Sequence, residues 1–237
     1  MLRKLKRKIS SFTQLLFSYP RLSLLETDYD SYWRNKRGSN LGYANKFQSY
    51  RAGYIASRIE ENSTVLDIGC GDGAVLLNMQ NQKQLELIAA DISDVVLDFL
   101  SSKGIKTIRF DTNSFSAISS LPKADYILML EVLEHMQNPE KFLKLISERA
   151  IKGIFFSFPN TGYISYRLRF LLGRFPVQWR THPGEHLRFW TYRDLKWWLK
   201  EMELSGKSNI HVYEGVSCLN KILPSIFGAA FIVEIKK

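Results

Sequence analysis

Gly69, Gly71 and Gly73 directly follow the apolar run Val65-Leu66-Asp67-Ile68, and two carboxylates, Asp67 and Asp72, stand around the turn these glycines make. Glycine supplies positive backbone angles and lets ligand atoms approach closer than a β-carbon permits, so the stretch reads as a buried strand feeding a nucleoside-binding turn. Gly69-x-Gly71-x-x-Ala74 also satisfies a dinucleotide fingerprint. A diphosphate, however, seeks bare N–H groups at a helix N-terminus, and two carboxylates would repel it. The same carboxylates would attract the ammonium and sulfonium of S-adenosyl-L-methionine. Asp91 ends the next apolar run, about 20 residues downstream, where an acid can accept hydrogen bonds from ribose hydroxyls. No Lys-Ser/Thr pair follows the glycines, which excludes a Walker-type phosphate loop.

A second group of reactive side chains, Glu131, Glu134 and His135, follows the apolar run 124–130, at the strand end where open α/β folds place ligands. Methyl transfer from a sulfonium is an in-line displacement that needs alignment and exclusion of water. It requires no metal, and none is expected. His135 is the candidate general base for a hydroxyl acceptor, and Glu131 is a candidate for both catalysis and cofactor binding. A carboxylate or thiolate acceptor needs no base, in which case His135 would orient the loop or bond to backbone. Asn160, at the end of a fifth strand, and His186, in the segment beyond it, are candidate substrate contacts. His182-Pro-Gly-Glu185-His186 matches the H-x-x-E-H string of inverted zinc proteases, but those ligands need a continuous helix that Pro183 and Gly184 oppose. Cys70, inside the glycine turn, reads as a residue chosen for small size.

The elements that must position these groups are legible from Thr64 onward. Apolar runs alternate with helical patterns, which predicts right-handed βαβ units around a parallel sheet. Strands are expected near 64–68, 86–91, 106–110, 124–130, 152–158, 209–214 and 228–235. Helix starts are expected at Ser93, at Asn138 before Pro139, and at Thr191 with Asp194 three residues on. A helix is expected over 45–59. Tyr32 and Trp33 before it can belong to a lid or to ordinary packing. The chain divides into a leader, 1–27, and a single domain, 28–237, with a substrate-cover insertion at about 161–190.

VLDIGCGDG at 65–73, Asp91, Asp111 after the third strand, and DYILMLEVLEH ending at His135 resemble the class I S-adenosylmethionine-dependent methyltransferases. SFPN at 157–160, Tyr163, RLRFLLGRFPV at 167–177 and His186-Leu187 followed by Thr191 resemble the MetW-like branch associated with methionine biosynthesis. The resemblance implies a doubly wound, mostly parallel, seven-stranded Rossmann-like sheet with its last strand antiparallel. It implies that Asp67 faces the methionine amino group, Asp91 the ribose, Asp111 the adenine amino group, and that Ile92 packs on the adenine. Gly69, Cys70, Gly71 and Gly73 would line the turn. The expected activity is methyl transfer to oxygen of a small metabolite, glycan or lipid-linked intermediate. The alternative is a MetW-like, cofactor-binding partner subunit, which would bring in a protein partner.

Two cysteines in 237 residues give neither a disulfide framework nor a zinc site and fit a reducing cytoplasm. The net charge is +10, concentrated in the acid-free first 25 residues and in 162–200. Such basic surfaces can meet nucleic acid, anionic lipid or a phosphorylated substrate. Nucleic acid is the least favoured, because the chain has no Asn/Asp-Pro-Pro-Tyr tetrad and no added recognition domain. Leu2, Leu5, Ile9, Phe12 and Leu16, spaced by lysines and arginines, can form an amphipathic helix on the inner membrane surface or one packed on the domain. Phe12 to Phe17 is too short and too interrupted for a signal peptide, and the lack of acids leaves a transit peptide open.

Overall fold

The computed structural model describes residues 28–176 and 186–237, together with Leu16 and Phe17. The rest of the leader and residues 177–185, which include His182 and Glu185, lie outside the described residues. Within them the chain runs α1 (Tyr29–Arg37), α2 (Lys46–Ala56), β1 (Thr64–Ile68), α3 (Ala74–Gln80), β2 (Glu86–Asp91), α4 (Asp94–Ser102), β3 (Lys106–Arg109) and β4 (Ala124–Leu130). It continues with α5 (Pro139–Ser147), β5 (Ala150–Pro159), α6 (Ile164–Leu171), α7 (Tyr192–Glu201), β6 (Ser208–Gly215), the short turns α8 (Leu219–Ile222) and α9 (Pro224–Phe227), and β7 (Gly228–Lys236).

The strands form one seven-stranded sheet in the order β3-β2-β1-β4-β5-β7-β6. The first five are parallel, and β7 is antiparallel to both neighbours. Because β1 and β4 are central, alternate residues fill two cores, and both faces are apolar. Leu66, Ile68, Ile127, Met129 and Phe156 face one helical layer with Phe142 and Trp198. Val65, Leu128 and Phe155 face the other, with Ile55, Leu76 and Leu100. The strand order reverses between β1 and β4, which opens the crevice at their carboxyl ends.

Local chemistry sets the helix starts. Asn45 and Gln48 form a reciprocal capping box on α2, and Thr191 and Asp194 form another on α7. Ser93 Oγ accepts from Val96 N at the start of α4. Asn138 makes no side-chain cap bond to α5, and that helix opens on Pro139, whose missing N–H would have had no intrahelical partner.

Asn160 ties three parts together at the end of β5. Its Nδ2 donates to Gly228 O at 2.7 Å, its Oδ1 accepts from Gly162 N at 2.9 Å, and its own N–H donates to Ala229 O. It is fully buried. Truncation would strand Gly228 O and Gly162 N, so Asn160→Ala is expected to cost roughly 1–3 kcal/mol, seen as a lower urea midpoint at unchanged slope.

Candidate active site

At the carboxyl end of β1 the chain turns through Gly69, Gly71 and Gly73, all with φ between 56° and 70°. A β-carbon at Gly73 would meet Leu100 Cδ2 at 2.3 Å, and one at Gly69 would meet Val132 Cγ2 at 2.8 Å. Glycine is therefore required by backbone angle and by packing together. Gly69 N donates to Ala90 O at 2.7 Å, and Asp91 closes the turn by accepting from Gly71 N at 2.9 Å and Ser93 N at 3.0 Å. Burial raises the Asp91 carboxyl, and these backbone bonds oppose the rise. Ile92, half-buried, follows it at the same edge.

Asp67 is the focus of the crevice. It is buried, and among the described residues its Oδ1 has no hydrogen-bond partner. Burial, with Asp91 nearby, pushes its carboxyl up to about 8, and Arg51 pulls the other way. Burial likewise pushes the Cys70 thiol up, helped by Asp91 and Asp67, so Cys70 is no ready thiolate.

Asp72 does not play the part its position suggested. It is buried against the segment before β1, paired with Arg37 Nε at 2.7 Å and accepting from Gln48 Nε2 at 2.9 Å. Its charge is neutralised by the lid side, so the site's preference for a cation rests on Asp67 and Asp91. The same segment covers the turn. The Trp33 ring stands 3.0 Å from a β-carbon placed on Gly71, and Asp30 accepts from Ser93 Oγ at 2.6 Å. Trp33 thus packs on the glycine turn and on the core beside it, as ordinary packing requires.

Asp111 sits at the end of β3, where its Oδ1 accepts from Asn113 N at 2.9 Å and Asn113 Nδ2 at 3.1 Å. This is the turn-capping arrangement typical of an Asx residue, and it occupies one carboxylate oxygen.

Glu131 has left-handed backbone, φ 60°, a strained conformation for a non-glycine residue that re-aims the chain at the end of β4. Its Oε1 accepts from Ser157 Oγ at 2.7 Å and pairs with Arg51 Nη1 at 3.3 Å. Burial works against the Arg51 charge, but Tyr213 and Glu131 outweigh it. Arg51 Nη1 also donates to Tyr213 Oη at 2.8 Å. Oε1 of Glu131, the candidate for catalysis and cofactor binding, is thus engaged by Arg51 and Ser157. Glu214, at the end of β6, belongs to the same cluster, and burial and Glu131 raise it to about 7. Arg51, Tyr213 and Glu214 were not singled out in the sequence. A lone cation among Ala52, Tyr54 and Ile55, all buried, was the one available signal for Arg51.

His135 is exposed at the mouth of the crevice, its ring centroid 4.7 Å from that of His186 in an edge-on contact. His186 is held there because Leu187 N and Arg188 N both donate to Glu134 O, at 2.8 and 3.0 Å. Burial and His135 lower His186 to about 4, so its imidazole is neutral at ordinary pH. Asn160 is not brought to this group. Its amide is spent on backbone, which corrects its assignment as a substrate contact.

A family profile described as a methyltransferase domain matches residues 43–206. The chain belongs to this methyltransferase-domain family. S-adenosyl-L-methionine is the cofactor that membership implies, and the unpartnered Asp67 carboxyl beside the glycine turn fits it. The ubiquinone biosynthesis O-methyltransferase of Rickettsia bellii is 26% identical over 133 residues, covering 52% of this chain and 54% of that protein. The bifunctional methionine biosynthesis protein MetXA/MetW of Rhodopirellula baltica is 24% identical over 180 residues, 68% of this chain and 27% of that protein. The chain thus spans about half the length of the first relative, or less of the second. An S-adenosylmethionine-dependent methyltransferase from Archaeoglobus fulgidus shares the fold at a TM-score of 0.61 and 19% identity, covering 89% of this chain and 100% of that one. Among the described residues no helix is long and apolar enough to cross a membrane.

The raised Asp67 carboxyl gives a prediction of definite sign. Ionising it in the empty fold is penalised, so the ligand-free protein loses stability as pH rises from about 4 to about 8. Asp67→Asn is expected to raise the melting temperature of the ligand-free protein, most of all near pH 8, by the equivalent of roughly a few kcal/mol. The same variant should lose S-adenosylhomocysteine binding in calorimetry. The wild type should bind that ligand more tightly as pH rises toward 8.

Proposed function

We propose that this chain transfers a methyl group from S-adenosyl-L-methionine to an oxygen of a small metabolite, glycan or lipid-linked acceptor. The observation that carries the reading is the buried Asp67 carboxyl beside the glycine turn, whose Oδ1 has no hydrogen-bond partner among the described residues and whose burial a cationic ligand would offset. Asp67 would meet the methionine ammonium, Arg51 the methionine carboxylate, Asp91 the ribose hydroxyls, and Ile92 the adenine face. Asp111 keeps one carboxylate oxygen for the adenine edge.

The acceptor would approach from the side of β4 and β5, with His135 taking its proton as the oxygen attacks the methyl carbon. The S–C bond breaks as the O–C bond forms, and its electron pair stays on sulfur. A chain of ring contacts leads to this point from the surface: Phe170 to Phe175 at 5.6 Å, Phe175 to Phe189 at 5.5 Å, and Phe189 to His186 at 6.4 Å between centroids. These phenylalanines are exposed, as is Leu171. An aromatic track of this kind suits an acceptor with an apolar or lipid-linked portion. Arg174 lies over the Phe17 ring, and the excess of basic residues in 1–25 and 162–200 would favour contact with an anionic membrane.

The match to the MetXA/MetW protein over 68% of the chain favours a second reading, a cofactor-binding subunit that works on a protein partner. Co-purification with a homoserine acyltransferase, and no methylated product, would select it.

The deciding experiment incubates cell extract with the protein and a labelled methyl donor and identifies labelled products by mass spectrometry. A labelled ether or ester is expected, and labelled amines alone would overturn the oxygen assignment. With the acceptor in hand, His135→Ala should lower kcat by roughly 10²–10⁴-fold while leaving the S-adenosylhomocysteine Kd within about twofold.

A further inference from the structure

Beside the cofactor crevice lies a cluster that the methyl-donor site does not use. Glu134, His135 and His186 each offer one ligand atom, and these atoms all lie within 4.8 Å of one another. Glu134 is 1% exposed, and among the described residues neither of its carboxylate oxygens has a hydrogen-bond partner. His186 Nδ1 is buried and without a partner in the same sense. Buried polar atoms are nearly always satisfied, because each orphan costs on the order of 1–3 kcal/mol, more when it carries charge. Three orphaned atoms in one place, on two chain segments that are stapled together through Glu134 O, call for a ligand between them.

We propose that Glu134, His135 and His186 bind a divalent first-row transition metal ion. One carboxylate oxygen and two imidazole nitrogens form a donor set suited to zinc, cobalt or iron, whereas magnesium and calcium take oxygen ligands almost throughout. Glu131, the other carboxylate of the strand end, is held by Arg51 and Ser157, so the third ligand comes from the cover loop through His186. Two histidines and one carboxylate leave coordination positions open toward the acceptor side. An acceptor hydroxyl taking one of them would have its pKa lowered, and its proton would pass to solvent before attack on the methyl carbon. His135 then serves as ligand and the ion takes over the task of activating oxygen. The acceptor class this favours is a phenol, a vicinal diol or an enol, whose oxygens coordinate readily.

The metal site goes beyond the methyl-donor reading and can be tested without it. Full-length protein stripped with chelator is titrated with Zn²⁺ by calorimetry, and Co²⁺ is followed by visible absorption. One equivalent should bind, raise the melting temperature, and give d–d bands without a thiolate charge-transfer band. His186→Ala and Glu134→Gln should each weaken binding at least about tenfold. Both variants should retain S-adenosylhomocysteine binding, which shows that they fold and separates failure of this site from failure of the donor site. Absence of a one-to-one complex overturns the proposal. So does a Zn²⁺ affinity unchanged in His186→Ala, or a thiolate band that disappears in Cys218→Ser.

Discussion

The structure depends on holding a carboxyl group among buried apolar residues, one of its oxygens without a hydrogen-bond partner among the described residues. Asp67 is the next-to-last residue of β1, between the buried aliphatics Leu66 and Ile68, and burial opposes its ionisation. Such a group is tolerable only if something offsets its charge, and a ligand with a fixed positive charge does so better than water can. The glycine turn follows from the same requirement. A side chain at Gly69 or Gly73 would collide with Val132 or Leu100, and the turn would move away from the acid it has to accompany.

The chain before β1 completes the site by closing it. Arg37 and Gln48 remove Asp72 from the ligand's view, Asp30 fastens α1 to the start of α4, and Trp33 covers Gly71. Arg51 reaches from α2 to the strand end and neutralises Glu131. One helix pair therefore decides which acids stay available and which become structural. That division explains why a site with so many carboxylates near one another does not simply repel itself apart.

At the ends of β4 and β5 the loop 186–190 is bound to the turn after β4 through the carbonyl of Glu134, and it meets the end of β5 through the bridge between Asn160 and Trp190. These two attachments place His186 beside His135 although 51 positions separate them in the chain. A loop anchored at two strand ends can hold its side chains in place without belonging to the sheet.

The fold was largely legible because its signals are local. The apolar runs of β1 to β7 lie where alternation placed them, and the caps at Ser93 and Thr191 rest on side chains a few residues from the groups they satisfy, while Asn138 precedes its helix without a side-chain cap. Gly69, Gly71, Gly73 and Asp91 were legible for the same reason, since a turn and the acid after the next strand are fixed by strand pairing. Which carboxylates face a ligand was not legible. Asp67 and Asp72 look alike in the sequence, yet one is orphaned and the other is paired with Arg37 from 35 residues upstream. Asn160 and Glu131 sit at strand ends, as ligand-binding residues do, but their partners come from β7, α2 and β5. The sequence by itself determined the sheet and the cradle, because both are built from period, turn and cap. Tertiary structure alone decided the charge balance of the site, because the energy of a buried charge depends on what packs against it, whatever its position in the chain.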